Sequence, residues 1–553
     1  MPRHPRAAAR TVGLLTALLS VLASVLLGSA GTAAAAAGYT PVAGAGSTWA
    51  QNAVDQWRKD VNQYGMRISY AGTGSSDGRR QFLSGTTDFA VSDIPFQTHP
   101  TDGSAPENPA SGSYAYMPIV AGGTAFMYHL TIGGKRVTSL RLSGDVLTKI
   151  FTRAVTYWDD AAIAADNPSL KLPHRTIVPV VRSDGSGSTA QFTLWMASQQ
   201  KALWQAYCKR VGRAGACGET SYFPTVPGMI AQSGDLGVAG YVAQGYGEGA
   251  IGYVNYSYAL NAHFPVAKVL NHAGYYTLPT PSNVAVSLLK AKINPNKNSA
   301  DYLTQDLSKV YTDDDRRNYT LSSYSYMILP LKVQGIFTTA KGKTLGAFAY
   351  YFMCQGQQKA PDLGYSPLPI NLVQAGFDQI RRIPGVAAQN INIKGCNNPT
   401  FSSDGSNKLA KTAPFPSACD KKGADSCTTG GGASGSGGGG TSGSPGGSGG
   451  TTGGTPGTDD KPGTGGTTPG GAAGAVDPVT GQNPTTSGGA TGAPAGTATD
   501  GTVVLADPVT VAAETGWSGT QTLMLLAVLA VLGLVLLPAV VARMLGSQKN
   551  PSA

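Results

Sequence analysis

Val180-Val181-Arg182-Ser183-Asp184-Gly185-Ser186-Gly187-Ser188-Thr189-Ala190-Gln191-Phe192 is the stretch on which the reading of this chain turns. The β-branched run from Thr176 to Val181 predicts a strand, the glycine-serine segment a turn, and Thr189 to Met196 the start of a helix. Such a turn aims backbone N–H groups and hydroxyls at one point ahead of a helix N-terminus, an arrangement suited to an anion. Arg182 adds a planar fork of donors, and Asp184 two residues on can hold the guanidinium. Taken alone, the stretch reads equally well as an ordinary strand-to-helix turn with a surface ion pair.

Two earlier segments repeat the design. Gly44-Ala45-Gly46-Ser47-Thr48-Trp49 precedes an amphipathic helix running through Ala53, Trp57 and Val61. Gly72-Thr73-Gly74-Ser75-Ser76-Asp77-Gly78 follows a strand at Arg67 to Tyr70 and leads into a helix containing Gln81-Phe82-Leu83. A fourth piece, Thr87 to Asp93, sets a carboxylate just past a short apolar strand. Three glycine-hydroxyl turns and one carboxylate can converge on a single small oxyanion. Four such pieces together are much harder to ascribe to chance than any one.

These segments, GAGSTW, GTGSSDGRRQFLSGTTDFAVSDIPF and VVRSDGSGSTAQFT, resemble the substrate-binding proteins of bacterial phosphate ABC transporters. Leu142 to Leu147, Gly249 to Val254 and Leu363 to Pro369 extend the resemblance, which covers roughly residues 42 to 385 in matching order. It implies an α/β, two-lobed periplasmic-binding-protein fold (type II, Venus-flytrap) with phosphate in the cleft between the lobes. Residue by residue it implies phosphate contacts from Thr48, the backbone N–H of Trp49, Ser75, Asp93, Arg182, Ser186, Gly187 and Ser188, with Asp184 orienting Arg182. Two departures stand out: Trp49 replaces the family's usual phenylalanine, and Ser188 stands where threonine is common.

The chemistry explains the residue types. A buried phosphate needs its oxygens satisfied, and uncharged N–H and O–H dipoles do so without trapping excess charge. Phosphate near neutral pH keeps at least one P–OH, which Asp93 can accept; sulfate has none and would leave that carboxylate unpaired and repelled. The implied function is extracytoplasmic phosphate binding for delivery to an ABC permease, without catalysis, metal or cofactor. Two other classes compete. Gly74 to Gly78 fits a Gly-x-Ser-x-Gly nucleophile elbow, with Ser76 as nucleophile and His129, His174, His263 or His272 as base, but no histidine has a supporting context. A surface scavenger, sensor or adhesion module would keep the fold with no transport role.

The remaining sequence locates the protein. Of 553 residues only 13% are charged, and the net charge of +10 is not gathered into basic arms with interleaved aromatics, which argues against nucleic acid. Arg3, Arg6 and Arg10, the apolar run Val12 to Leu27 and Ala33 to Ala37 read as a secretory signal over residues 1–37, with neither a twin arginine nor a lipid-anchor cysteine. The binding domain is expected at 38–400, followed by a cysteine-containing extension at 401–427. Six cysteines in a secreted chain suggest disulfides, paired by proximity as Cys208–Cys217, Cys419–Cys427 and Cys354–Cys396.

Residues 428–515 are Gly, Ser, Thr, Pro and Ala with few large apolar side chains, and are expected to form a disordered linker. The segment 516–553 reads as a membrane anchor or sorting signal: the apolar helix 523–542 would span about 30 Å, and Arg543 and Lys549 follow it. Ala512-Ala513-Glu514-Thr515-Gly516 ahead of it resembles a sortase motif with alanine in place of the usual leucine. Either route leaves the protein at the extracytoplasmic surface.

Overall fold

The 15-residue run YAYMPIVAGGTAFMY is buried along its whole length in the computed structural model, which describes residues 38–425. Only a strand paired on both edges and covered on both faces reads that way. The elements that frame the cleft are β1 (Val42–Gly46), α1 (Gln51–Asn62), β2 (Ile68–Gly72), α2 (Ser75–Leu83), β3 (Phe89–Ser92), β4 (Tyr114–Tyr128), α3 (Gly144–Phe151), β5 (Val178–Arg182), α4 (Gly187–Gln199), β6 (Ile230–Gln232), α5 (Gly234–Ala243), β7 (Ala250–Asn255), β8 (Ser322–Pro330), α6 (Thr339–Cys354) and α7 (Ile370–Ile380).

Strand order is β2-β1-β3-β8-β4-β7-β5-β6. The first half of β4 pairs antiparallel with β8, and its second half, Thr124 to Tyr128, pairs antiparallel with β7. One strand therefore crosses between two lobes, and β8 returns beside it. Each lobe adds a parallel triplet: β2, β1 and β3 in the first, β7, β5 and β6 in the second. The expected two-lobed α/β fold is the one observed.

Each lobe has its own aromatic packing. In the first, Trp57 on the buried face of α1 stacks on Phe352 of α6 with centroids 4.7 Å apart. In the second, Phe192 of α4 lies 5.2 Å from both Phe126 and Phe151 and 5.3 Å from Tyr253. Each such pair is worth ~0.5–1.5 kcal/mol beyond the area it buries.

Element ends differ from expectation where a side chain stops or starts a backbone ladder. Leu142 pairs with Val269 in a short strand, and Ser143 caps α3 by accepting the Val146 N–H. β7 ends at Asn255, which caps the next helix through the Ser257 N–H at 2.9 Å. α4 starts at Gly187 rather than Thr189, with Ser186 as its cap. Thr176 is only bridged to Tyr157, so the strand before it begins at Val178.

Cys208–Cys217 and Cys354–Cys396 are bonded as expected. Cys419 is also disulfide-bonded, and its expected partner Cys427 lies outside the described residues. The extension is a strap that touches both lobes. It leaves the first through Cys396 and through Asn398 and Thr400, whose side chains donate to Leu368 O at 3.0 and 2.8 Å. On the second lobe, buried Arg141 donates to Cys419 O and Ala424 O, both at 2.9 Å, and Lys268 pairs with Asp420 at 2.6 Å.

Among the described residues no helix is long and apolar enough to cross a membrane. The signal, the linker, the sortase-like motif and the helix expected at 523–542 lie outside them.

The Cys354–Cys396 bond closes a loop with a sequence separation of 42, worth at most ~4 kcal/mol by chain entropy. The double variant Cys354→Ser/Cys396→Ser is expected to lose ~2–4 kcal/mol in urea unfolding; an unchanged midpoint would show that the strap is held by its hydrogen bonds alone.

Candidate functional site

Parallel strands set the site. β1, β2 and β3 end at Gly46, Gly72 and Ser92, and β5 and β6 end at Arg182 and Gln232. Ligand crevices in open α/β sheets form beyond such carboxyl ends. Ser47 and Thr48, Ser75, Asp93, Ser186 to Ser188, and Asp235 follow those ends in turn.

Asp93 is the centre of the first lobe's half. Ser47 Oγ donates to both carboxylate oxygens at 2.8 and 2.9 Å, Ser325 Oγ to Oδ1 at 2.8 Å and Ser75 Oγ to Oδ2 at 3.2 Å. The β8–β4 register shifts between Ser325 and Tyr326, opposite Val120 and Pro118. β8 also pairs antiparallel with β3, Tyr326 opposite Ser92, and that pairing sets Ser325 beside Asp93, one residue past the end of β3. Burial pushes the Asp93 carboxyl up to about 6, against the lowering effect of hydrogen bonds from Ser325, Ser47 and Ser75.

Arg182 is the centre of the second half. Its side chain is 1% exposed. Nε donates to Asp184 Oδ1 at 2.8 Å, Nη2 to Asp184 Oδ2, and Nη1 to Asp235 Oδ2 at 2.5 Å. The Gly234 N–H, at a φ of +66°, donates to Asp184 Oδ1 at 2.9 Å and steadies that carboxylate. Both Asp184 oxygens are thus bonded to the Arg182 guanidinium.

The two halves touch. Thr48 Oγ1 donates to Asp235 Oδ2 at 2.6 Å, Gln191 Nε2 to Asp93 O at 3.0 Å, and the Ser76 N–H to Gly185 O at 3.0 Å. A Cβ on Gly187 would stand 2.5 Å from Asp93 Oδ2 and 2.6 Å from Ser75 Oγ, so only glycine permits this approach. The cleft is closed.

Thr48, Ser75, Asp93, Arg182, Ser186, Gly187 and Ser188 are all buried. Hydrogen bonds join Thr48 and Arg182 through Asp235, Ser75 bonds Asp93, and Gly187 packs against both between Ser186 and Ser188. Ser186 accepts the Thr189 N–H at 3.2 Å as helix cap and can still donate its own proton. Ser188 Oγ is buried with no protein partner among the described residues, a hydroxyl left for something else. Trp49 is locked by its indole N–H on Thr124 at 3.2 Å and by Tyr365 donating to its carbonyl at 2.6 Å, so the larger ring leaves its backbone in place.

The reading from sequence missed three residues: Ser47, Ser325 and Asp235. Ser47 lay inside a quoted turn, and Asp235 followed a glycine at a helix start. Ser325 carried no local signal. Ser76 Oγ faces Arg79 at 3.4 Å, while His129 contacts Val242 and Glu248, His174 contacts Asp159, and His272 contacts Asp314.

A family model described as the PBP superfamily domain matches residues 31–355. The phosphate-binding protein PstS of Xylella fastidiosa is 31% identical over 335 residues, 60% of this chain and 83% of that protein. This chain belongs to the PBP superfamily and, within it, to the PstS family. The PstS of Methanocaldococcus jannaschii is 29% identical over 356 residues, covering 61% and 85% respectively. A solved phosphate binding protein from Stenotrophomonas maltophilia is 18% identical, with a TM-score of 0.45, covering 66% of this chain and 99% of that one.

The buried Asp93 cluster carries a stability cost that pH reveals. Asp93 holds its proton more tightly when folded than the ordinary value near 4, so its contribution is present in acid and lost as pH rises from about 4 to about 6. Asp93→Asn cannot ionise. It is expected to be ~1–3 kcal/mol more stable than the wild type at pH 8 without ligand, the advantage shrinking toward pH 4. Urea melts at both pH values check it, and an equal difference at both would show that Asp93 is not destabilised by ionising.

Proposed function

We propose that this protein binds inorganic phosphate in its interlobe cleft, outside the cytoplasm, and delivers it to a phosphate ABC permease. The observation that carries the reading is Asp93: a buried carboxylate held by three serine hydroxyls and facing the N-terminus of a helix across a closed cleft. A plain anion site would place no carboxylate there. The names of its relatives, phosphate-binding proteins, support the same ligand.

In this reading Arg182, Ser186 and Ser188 donate to phosphate oxygens, as do the backbone N–H groups of Trp49 and Gly187, and Thr48 and Ser75 turn their single hydroxyl protons from Asp235 and Asp93 to the ligand. The first turn of α4 has N–H groups without intrahelical partners and the positive end of the helix dipole. Asp93 accepts the ligand's P–OH, and its raised affinity for protons suits it to share one. Closure over the ligand supplies the signal a permease would read. Retention at the outer surface would rest on the apolar run 523–542, or on sortase acting near Thr515, after a flexible linker.

Calorimetric titration of the wild type is expected to give binding with phosphate and none with sulfate. Asp93→Asn supplies an amide that donates as well as accepts, so sulfate should gain measurable affinity. A charged hydrogen bond is worth about 1.5–3 kcal/mol, so the phosphate-over-sulfate preference should fall at least about tenfold. An unchanged preference would return Asp93 to a purely structural role.

A further inference from the structure

Gln191, Glu219 and Tyr311 each bury a polar atom that nothing among the described residues satisfies. Gln191 Oε1, Glu219 Oε1 and the Tyr311 hydroxyl have no hydrogen-bond partner there, and Gln191 and Tyr311 are only 9% and 6% exposed. All three line one cavity of about 300 Å³. It adjoins the phosphate cleft without opening on its ligand groups: Ile94 and Pro95 of its wall follow Asp93 in the chain. Buried polar atoms left unpaired are costly, and three around one hollow call for an occupant. We infer that this cavity is a binding site for a small primary amine in its ammonium form, separate from the phosphate cleft.

The chemistry of the wall selects that class. Gln191 Oε1 can only accept, and its amide nitrogen is already committed to Asp93 O at 3.0 Å. An ionised Glu219 only accepts, and a phenol oxygen accepts as well as donates. An ammonium group carries three donors and no acceptor, one donor for each of these oxygens. Ile94, Leu194 and Leu307 supply apolar wall for a short alkyl chain. The volume falls at the lower end of the roughly 300–1,000 Å³ usual for small-molecule pockets.

Charge points the same way. Among the described residues, Glu219 and Asp306 line the cavity and no Lys or Arg does. Asp306 is held low chiefly by hydrogen bonds from Ser308, so its charge is present. The Arg79 guanidinium acts on Glu219 from outside the cavity, but it is engaged by Glu107 at 2.8 Å and Ser92 at 3.0 Å. An anion would meet like charge here, and a neutral molecule would leave the Glu219 carboxylate uncompensated.

Calorimetry of the wild-type protein with n-butylammonium chloride at about pH 8.5 tests the proposal; the amine keeps its proton there. Glu219, which burial pushes up to about 7 against the pull of Arg79, is ionised at that pH. One saturable site in the millimolar range is expected. 1-Butanol has the chain without the charge, and tetramethylammonium the charge without an N–H, so each should bind at least about tenfold more weakly. Glu219→Gln should weaken n-butylammonium at least about tenfold and Tyr311→Phe about threefold, each variant shown folded by circular dichroism. Glu219 also borders the groove of Arg79 and Tyr311 does not, so loss in both variants assigns the site to this cavity. No saturable n-butylammonium binding, equal binding of 1-butanol or tetramethylammonium, or unchanged affinity in either variant overturns the proposal and leaves the hollow to water. Phosphate titrated in parallel reports on the other cleft: absence of phosphate heat would strike the phosphate reading and leave this site standing.

Discussion

A single buried guanidinium shared between two carboxylates governs this molecule. Arg182 could not be buried alone; desolvating it costs several kcal/mol, and Asp184 and Asp235 offset that only because the geometry is tight. The two acids come from different places, one from the turn after β5 and one from the start of α5, so the cluster welds those elements together. Asp235 then reaches across the cleft to Thr48 of the other lobe. Charge pairing in one lobe is thereby coupled to closure onto the other. Buried ion clusters are poor stabilisers compared with well-packed apolar groups, so their presence at a lobe interface points to recognition.

The second lobe's cation is answered by the first lobe's acid. Among the described residues Asp93 forms no ion pair; its side-chain partners are the hydroxyls of Ser47, Ser75 and Ser325. A carboxylate among neutral donors binds protons more tightly than one beside arginine, which separates its behaviour from that of Asp184. One cleft therefore contains acids with different tasks, set by their surroundings.

Much of this was legible in the sequence because its signals are local. Glycine-hydroxyl turns, a strand before each and a helix after each are written in consecutive residues, and Thr48, Ser75, Asp93 and the Arg182 to Ser188 segment were read from them. What was not legible depends on distant pairing. Ser325 reaches Asp93 only because β8 pairs with β3, Tyr326 opposite Ser92, across a separation of 232 positions in sequence. Asp235 gains its role only when the two lobes meet, and the strap's route over both lobes depends on carbonyls that carry no side-chain signature. The start of α4 lies two residues before Thr189 because Ser186 takes up the capping duty.

The measurement that bears most directly on this account is a crystal structure of the protein grown with phosphate. Phosphate is expected between the N-terminus of α4 and Asp93, with oxygens within hydrogen-bond reach of Arg182, Thr48 and Ser188, and the lobes closed as described. Phosphate bound elsewhere, for instance in the groove lined by Arg79, Glu107 and Tyr222, with the Asp93 cleft empty, would contradict it.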